Sequence, residues 1–377
     1  MSTRSKPRLI SGLLALSAAT ALSVPALNAL AGDGVAKVSG KRLVMKAGKV
    51  ETTSRTDAGA GSSTQAASSV STDSGSTATA SDTGDQGSVG SCTGVVVDPG
   101  RDIQAVINAN PAGTTLCLAA GTFTTSSPIT PKNGMQLIGA GKNVTSITTS
   151  SATTVIELRG RSDVLLEGFD VSGAVGSLAC KPACGRGIRA GVNTVIDDVR
   201  SHHNAISGIG GAGPNLLVRD SELDHNGRSE FFGCCASGIK TGTAYRIENS
   251  YVHDNVGMGI WCDVGCKDGT FEVYGNTVVG NAVGGIRYET SASPAMISGN
   301  TVRGNNLVDK GGHGGIEVNS SQNAVVQGNV VGGNLRAGIT AGGRREPGLD
   351  DVLIRNNTLN GDKLAGCGGE VVCTSNT

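Results

Sequence analysis

The dipeptide Gly-Ile recurs seven times between residues 187 and 339, and this repeat limits the folds open to the chain. Its copies stand at 187–188, 208–209, 238–239, 259–260, 285–286, 315–316 and 338–339, in steps of 21 to 30 residues. Two asparagine marks accompany it. One precedes an apolar strand and stands at Asn249, Asn276, Asn300, Asn329 and Asn357. The other stands at Asn204, Asn226, Asn255, Asn281, Asn305 and Asn334.

Each repeat is too short to fold alone. The unit from Gly285 to Asn305 predicts three short strands separated by turns. Strands of this length cannot bury one face by themselves, so each unit must stack on its neighbours. Asn side chains at equivalent turns can then hydrogen-bond to the next coil and form a ladder. The pattern therefore predicts an all-β fold, a parallel β-helix.

Composition excludes the other repetitive folds. Gly supplies 58 of 377 residues, which argues against long helices and coiled coils. A collagen would need a three-residue Gly period and far more than the 10 Pro present. The 31 basic and 31 acidic residues balance, so the sequence has no excess of positive charge with which to bind nucleic acid or an anionic membrane. We expect a monomer that neither binds nucleic acid nor inserts into a membrane.

The first 91 residues differ in composition from the rest of the chain. A basic start, an apolar run and small residues before Gly32 predict a secretory signal peptide over residues 1–31. Residues 32–91 are predicted to be a disordered linker, because Ser, Thr, Gly and Ala dominate there and cannot bury a core. Residues 92–377 are predicted to form the β-helix domain. The expected location is extracellular or at the cell surface.

The ten cysteines fit an oxidising compartment. Close spacing predicts four disulfides, namely Cys92–Cys117, Cys180–Cys184, Cys262–Cys266 and Cys367–Cys373. The adjacent Cys234 and Cys235 are expected to pair with other cysteines. Zinc binding by the CxxxC pairs is the alternative.

The start of the repeat region adds four motifs that carry a family resemblance. They are Asp102-Ile-Gln-Ala-Val-Ile, Pro111-Ala-Gly-Thr-Thr-Leu, Gly121-Thr-Phe and Leu137-Ile-Gly-Ala-Gly. With the repeats, they make residues 92–377 resemble the right-handed parallel β-helix proteins of the pectate-lyase-like superfamily. The resemblance implies a short N-terminal helix that caps the open end of the solenoid. It also implies a substrate class, acidic or neutral polysaccharide.

The chain departs from the catalytic motifs of particular families within that superfamily. It has neither the Arg-x-Pro-x-x-Arg element of classical pectate lyases nor the Asp-Pro-His motif of alginate epimerases. The Gly-His-Gly around His313 lacks the Asn-Thr-Asp and Arg-Ile-Lys elements that accompany it in polygalacturonases. We therefore assign no residue of this chain a catalytic role on the basis of those families.

Strand alternation predicts which side chains face outward. If the Ile of each Gly-Ile points inward, the first and third residues after it point outward. In the middle coils these two columns hold candidate catalytic residues, namely Lys240, Asp263, Arg287 and Glu289. They also hold candidate substrate-binding residues, namely Trp261, Glu317 and Asn319. The long loops 227–237 and 306–314 are predicted to wall a groove beside them.

Two reactions on polysaccharide could use these groups. A glycoside hydrolase needs a carboxyl pair, which Asp263 with Glu289 or Glu317 could supply. A polysaccharide lyase needs a base and a cation, for which Arg287 or Lys240 could serve, with Asp263 and Glu289 holding Ca²⁺. The alternatives are a salt-bridged ladder that only keeps the sheet soluble and a non-catalytic, adhesive, carbohydrate-binding solenoid.

Histidines form a second pattern. Aligned on the later asparagine mark, His202, Asp224 and His253 share one column, and His203, His225 and Asp254 share the next. Such groups could bind a transition metal, and solvated polar turns are the alternative.

Overall fold

The computed structural model describes residues 91–377, apart from residues 182, 212, 232–233 and 310–312, together with the backbone of short strands between residues 37 and 89. The chain separates into two compact units, Met1–Ser69 and Val70–Thr377. In the first unit, three strands form an antiparallel sheet: Lys37–Val38, Lys41–Lys46 and Lys49–Thr52. The predicted signal peptide and most of the predicted linker lie outside the described residues, so those domain boundaries stay predictions.

The second unit is a right-handed parallel β-helix whose coils pass in turn through three sheets, named A, B and C here. Sheet A contains Thr154–Glu157, Arg186–Arg189, Ser207–Gly210, Ser237–Thr243, Met258–Lys267, Gly284–Glu289, Ile316–Asn319, Ile339–Gly342 and Leu364–Ala365. Sheet B contains Gln86–Val89, Cys92–Val97, Thr115–Leu118, Gln136–Gly139, Leu165–Glu167, Val195–Asp197, Leu216–Arg219, Tyr245–Glu248, Phe271–Tyr274, Ala295–Ser298, Gln322–Gln327, Asp350–Arg355 and Val371–Thr374. Sheet C contains Gly121–Thr125, Thr145–Thr149, Asp170–Ser172, Arg200–His202, Glu222–Asp224, Tyr251–His253, Thr277–Val279, Thr301–Arg303 and Val330–Gly332. The predicted all-β parallel β-helix is confirmed.

Stacked identical positions build the core. The Ile of every Gly-Ile is fully buried, and Ile286 pairs in register with Ile260 and Ile316 on its two sides. The glycine before it is required by close packing. A Cβ at Gly285 would lie 2.4 Å from the carbonyl oxygen of Gly315 and 3.1 Å from Nδ2 of Asn305. The Gly-Ile repeat and the later asparagine mark are thus parts of one packing unit.

Two asparagine ladders run along the solenoid, as predicted. In the longer one, each Nδ2 donates to the Oδ1 of the next coil over 2.9–3.1 Å, through Asn204, Asn226, Asn255, Asn281, Asn305 and Asn334. The shorter one runs through Asn276, Asn300, Asn329, Asn357 and Asn376. Asn249 does not belong to it, because Ser250 is the residue whose backbone N–H donates to Asn276. The ladders satisfy buried backbone groups that the turns would otherwise leave unpaired.

Replacing Asn281 with Ala should destabilise the solenoid by roughly 2–4 kcal/mol, because several buried groups lose their partners at once. Asn281 is fully buried, donates to Val252 O and Asn305 Oδ1, and accepts from both the backbone N–H and Nδ2 of Asn255. Urea unfolding followed by circular dichroism measures the loss. The matched control is Asn108→Ala at an exposed helix position, where we expect a change within about 0.5 kcal/mol. Equal stability of both variants would contradict the proposed role of the ladder.

One α-helix, Ile103–Ala109, lies in the described part of the chain. Asp102 caps its start, since its carboxylate accepts from the backbone N–H of Gln104 at 2.8 Å and of Ala105 at 3.3 Å. The apolar side of the helix packs into the same core as the coils, through Ile103, Val106 and Ile107. Its role as the cap of the solenoid stays a prediction.

The four disulfides predicted from spacing are present, at Cys92–Cys117, Cys180–Cys184, Cys262–Cys266 and Cys367–Cys373. The expectation for Cys234 and Cys235 was wrong, because these neighbours are bonded to each other. The other eight cysteines are already paired, which leaves the two adjacent residues only one another. Since all ten are in disulfides, no thiolate is left for zinc.

Candidate functional site

The middle coils of sheet A carry a groove of about 430 Å³ on their outer face. Backbone register confirms the first predicted column, because Trp261 pairs with Lys240 on one side and with Arg287 on the other. Arg287 in turn pairs with Glu317. The groove is lined by Cys234, Lys240, Trp261, Asp263, Val264, Arg287, Glu289, His313, Glu317, Asn319 and Arg345. All seven side chains selected from the sequence therefore line one groove, while their roles stay proposals.

The loops that precede two sheet A strands wall this groove, as predicted. Cys234 lines it from the loop 227–237, and His313 lines it from the loop 306–314. His313 was not predicted as a site residue, although its place in a long loop before Gly-Ile was an available signal. Arg345 was not predicted either, because it lies in an irregular loop after the strand Ile339–Gly342 and outside both columns.

Trp261 lies at the centre of the groove with little exposed surface. Its relative exposure is 7%, and its Nε1–H donates to Glu289 Oε2 over 2.9 Å. The Lys240 ammonium lies 3.5 Å from the ring centroid, and the Arg287 guanidinium carbon lies 5.4 Å from it. Cations on an indole face are favourable contacts. The ring therefore packs against charged groups of the groove and orients Glu289.

Lys240 is a largely buried cation of the groove. Its Nζ lies 3.1 Å from Asp263 Oδ2 and donates to the backbone carbonyl of Cys234. Burial lowers the pKa of Lys240, and the nearby Asp263 only partly opposes this effect. Loss of the proton is thus easier for this lysine than for an exposed one.

Asp263 lies where its strand bulges against the strand of Lys240. The register between the two strands shifts after Thr241, which pairs with Cys262, whereas Thr243 pairs with Lys267. The extra residues form a short excursion that the Cys262–Cys266 disulfide closes. Strand alternation predicted Asp263 and Glu289 as neighbours, with Lys240 and Arg287 flanking them. The contact with Lys240 is present, and both carboxylates line the same groove.

The other side of the groove is an ion-pair network centred on Arg287. Its Nη2 donates to Glu289 Oε1 over 2.9 Å, and its Nε lies 3.4 Å from Glu317 Oε2. His313 Nδ1 lies 2.8 Å from Glu317 Oε2 and 3.4 Å from Arg287 Nη1. The shorter contact assigns the proton to Nδ1, which donates to the carboxylate. Glu317 also accepts from Asn319 Nδ2 at 2.8 Å, so the network holds this wall in a fixed arrangement.

Arg345 is the cation that this network leaves accessible. Its side chain is 70% exposed, and its Nη1 lies 4.0 Å from Glu289 Oε1. By contrast, the side chain of Arg287 is only 12% exposed. An anionic group that enters the groove would therefore meet Arg345 first.

The predicted histidine column exists on sheet C, where Asp224 pairs in register with His202 and His253. Within the described residues, one group has potential metal-ligand atoms that all lie within 4.8 Å of one another, namely Glu222, Asp224 and His253. This group contains Glu222 in place of the predicted His202. Arg200 donates to both oxygens of Asp224, at 2.9 and 2.8 Å. A guanidinium thus already engages the central carboxylate.

The family model that describes a right handed beta helix region matches residues 133–307. No curated protein matches the chain. Among solved structures, the polygalacturonase from Erwinia carotovora ssp. carotovora is 12% identical, with 74% of this chain and 95% of that chain covered and a TM-score of 0.47. The mannuronan C-5 epimerase AlgE6 A-module from Azotobacter vinelandii is 17% identical, with 73% and 94% covered and a TM-score of 0.42. The N-terminal fragment of the bacteriophage phi29 gene product 12 is 15% identical, with 73% and 62% covered and a TM-score of 0.47.

The family-model match and the coil architecture agree. No helix in the described part of the chain is long and apolar enough to span a bilayer. The family-model match falls on the coils in which the three sheets are stacked in register. The described coils of the chain are therefore a right-handed parallel β-helix.

Proposed function

We propose that this protein cleaves a uronate-containing polysaccharide by β-elimination in the sheet A groove, with Lys240 as the base. The observation that carries the proposal is the position of Lys240, a largely buried amine in the lining of an open groove. Burial lowers its pKa, which raises the fraction of the neutral amine that can accept a proton. General bases are effective when their pKa lies near the working pH.

The proposed elimination can proceed with side chains of the groove and water. Lys240 Nζ takes the proton from C5 of a uronate, and the electron pair forms the C4–C5 double bond. The C4–O bond breaks, and the leaving oxygen takes a proton from water in the open groove. The hydroxide left behind takes the proton from the Lys240 ammonium, which restores both the water and the neutral amine. Charge that develops at the uronate carboxylate needs a cation, and the exposed Arg345 can provide it. Arg345 Nη1 lies 4.0 Å from Glu289 Oε1, which places the guanidinium beside the groove.

Hydrolysis fits these contacts less well. A hydrolase needs one carboxyl group that carries a proton to the leaving group. Here Asp263 contacts Lys240, Glu289 accepts from Arg287, and Glu317 contacts His313. Each carboxylate thus already engages a basic partner, so elimination is the better supported of the two reactions.

We also propose that the protein is exported from the cell. Five disulfides are compatible with an oxidising compartment. We propose residues 1–31 as the signal peptide, 32–91 as a linker and 92–377 as the exported β-helix domain. The resulting location is extracellular or at the cell surface.

Incubation of the purified chain with acidic and neutral polysaccharides, with and without Ca²⁺, tests the function. Elimination predicts that ultraviolet absorbance from unsaturated uronate and new reducing ends appear together, and only with uronate polymers. Reducing ends without absorbance would show hydrolysis instead. Binding without either product would support the non-catalytic, adhesive solenoid.

A further inference from the structure

A small cluster of buried apolar residues supports the groove wall beside Lys240, apart from the core of the coils. It contains Cys184, Ile206, Phe231, Cys235 and Ala236. Two disulfides lie at this cluster, Cys180–Cys184 and Cys234–Cys235. The wall next to Lys240 therefore has a packed support of its own.

One buried carbonyl organises the turn that carries Cys234. The backbone N–H groups of Cys234, Cys235 and Ala236 donate to Phe231 O over 3.3, 3.1 and 3.2 Å. Phe231 is fully buried, so this acceptor is held in place. The bond between the two neighbouring cysteines closes a small ring that includes the peptide group joining them, which restricts the backbone of both. The peptide group between Cys234 and Cys235 is thus held from two sides.

The carbonyl of that peptide group is the one that contacts Lys240. Lys240 Nζ donates to Cys234 O and also lies 3.1 Å from Asp263 Oδ2. The amine lies 3.5 Å from the centroid of the Trp261 ring, and the lysine side chain is 15% exposed. A carbonyl carries no net charge, so it fixes the amine without the strong preference for the ammonium form that a carboxylate adds. The ring therefore presents a neutral acceptor to Lys240 from the wall of the groove.

We propose that the Cys234–Cys235 disulfide is a positioning element for Lys240, because it holds the Cys234 carbonyl against Nζ and keeps the amine in the groove lining and shielded from water. Its importance for elimination rests on the proposed function. Its effect on the proton affinity of Lys240 requires no turnover, so the two proposals can be tested separately.

Opening the ring should raise the pKa of Lys240. Once the wall loosens, water replaces the Cys234 carbonyl as the acceptor and hydrates the ammonium. Burial is the main cause that lowers this pKa, so hydration moves it back towards the ordinary value. The charged groups that act on the amine stay in place, since Asp263, Arg287 and Glu289 belong to the following strands of sheet A.

The double variant Cys234→Ala/Cys235→Ala tests the positioning role without substrate. Competitive acetylation followed by mass spectrometry gives the reactivity of Lys240 against pH, resolved from the other lysines. We expect its midpoint to move up towards 10.5 in the variant. Because the neutral fraction changes tenfold for each unit of pKa, kcat/KM at neutral pH should fall roughly three- to tenfold. A midpoint equal to that of the native chain would overturn the proposal.

The matched control is Cys180→Ala/Cys184→Ala. It removes the other disulfide at the same apolar cluster and leaves the ring around the Cys234 carbonyl intact. Its Lys240 midpoint and its kcat/KM should match those of the native chain. An equal shift in both double variants would show that Lys240 responds to the packing of the cluster, and the ring would then have no positioning role.

Trp261 provides a second readout that needs no product. It is the single tryptophan of the chain, and the Lys240 amine lies on its ring. The pH titration of its fluorescence should show the same upward shift. If thermal unfolding shows that the Ala pair does not fold, Cys234→Ala/Cys235→Val replaces it, because Val fills more of the buried volume of Cys235. The expected shift is the same.

The positioning role and the elimination fail in different ways. A shifted Lys240 midpoint in a protein that forms no unsaturated product would support the positioning role and overturn the elimination. Product formation with the same midpoint in the native chain and the double variant would overturn the positioning role and leave the elimination standing.

Discussion

Replacing Lys240 with Met is expected to lower kcat/KM for elimination on polygalacturonate by about 10²- to 10⁴-fold, the range that a general base contributes. Met keeps the length and the contact with the Trp261 ring but has no amine to accept the C5 proton. The initial rate of ultraviolet absorbance from unsaturated uronate measures the loss. Substrate binding should weaken far less, because Lys240 already pairs with Asp263.

Two control variants make this result specific. Lys240→Arg keeps a positive charge that cannot be removed near neutral pH, so it should be as inactive as Lys240→Met. Lys142→Met removes a surface lysine that pairs with Asp198 at 2.8 Å, and it should leave the rate unchanged. Full activity in Lys240→Arg would show that the residue supplies charge and that another group is the base.

The pH dependence follows from the direction of the lysine shift. Burial lowers the pKa of Lys240 below its usual 10.5, and the reactive form is the neutral amine. The rate should therefore rise with pH through a midpoint below 10.5 and level off above that midpoint. Stability should rise over the same window, because the unfolded lysine binds more protons than the folded one. In Lys240→Arg this rising limb should be absent from the activity profile.

Periodic positions of the site could be predicted from the sequence, because stacking fixes them. Once the Ile of each Gly-Ile points inward, the pairing of Lys240, Trp261 and Arg287 follows from strand alternation and coil spacing. The asparagine ladders follow in the same way, since equivalent turns must stack. These features depend on the repeat alone.

Irregular positions could not be predicted. The bulge after Cys262 shifts the register against the strand Ser237–Thr243, and the repeat does not predict that shift. His313 and Arg345 reach the groove from loops of unequal length, whose paths depend on tertiary packing. The Cys234–Cys235 bond depends on which cysteines remain near one another after folding. The sequence therefore predicts the floor of the groove better than its walls.

Replacing Arg200 with Met is expected to destabilise the fold by about 3–5 kcal/mol, because it leaves a buried carboxylate without its partner. The side chain of Asp224 has no exposed surface, and Arg200 contacts both of its oxygens. His225 Nδ1 adds a third contact at 2.7 Å. Urea unfolding at neutral pH measures the difference in the free energy of unfolding.

The matched control is Arg219→Met, which breaks the ion pair with Asp197 on the neighbouring sheet B. That arginine is 44% exposed, so the expected loss is about 0–1 kcal/mol. The double variant Arg200→Met/Asp224→Leu should recover most of the stability, because it removes the buried charge together with its partner. A loss in Arg200→Met that the second substitution does not restore would point to lost packing instead.

Acid titration of the same variants distinguishes an electrostatic role of Arg200 from a packing role. Burial alone would raise the pKa of Asp224, but the hydrogen bonds from Arg200 and His225 outweigh it and hold the pKa at about 2. The native pair therefore stabilises the fold above the unfolded pKa of about 4, and this contribution disappears as the pH falls towards 2. Without Arg200, burial raises the pKa of Asp224, so protonation removes the penalty in mild acid. The stability gap between the native chain and Arg200→Met should consequently close as the pH falls, whereas a gap that stays constant would show that Arg200 acts through packing rather than charge.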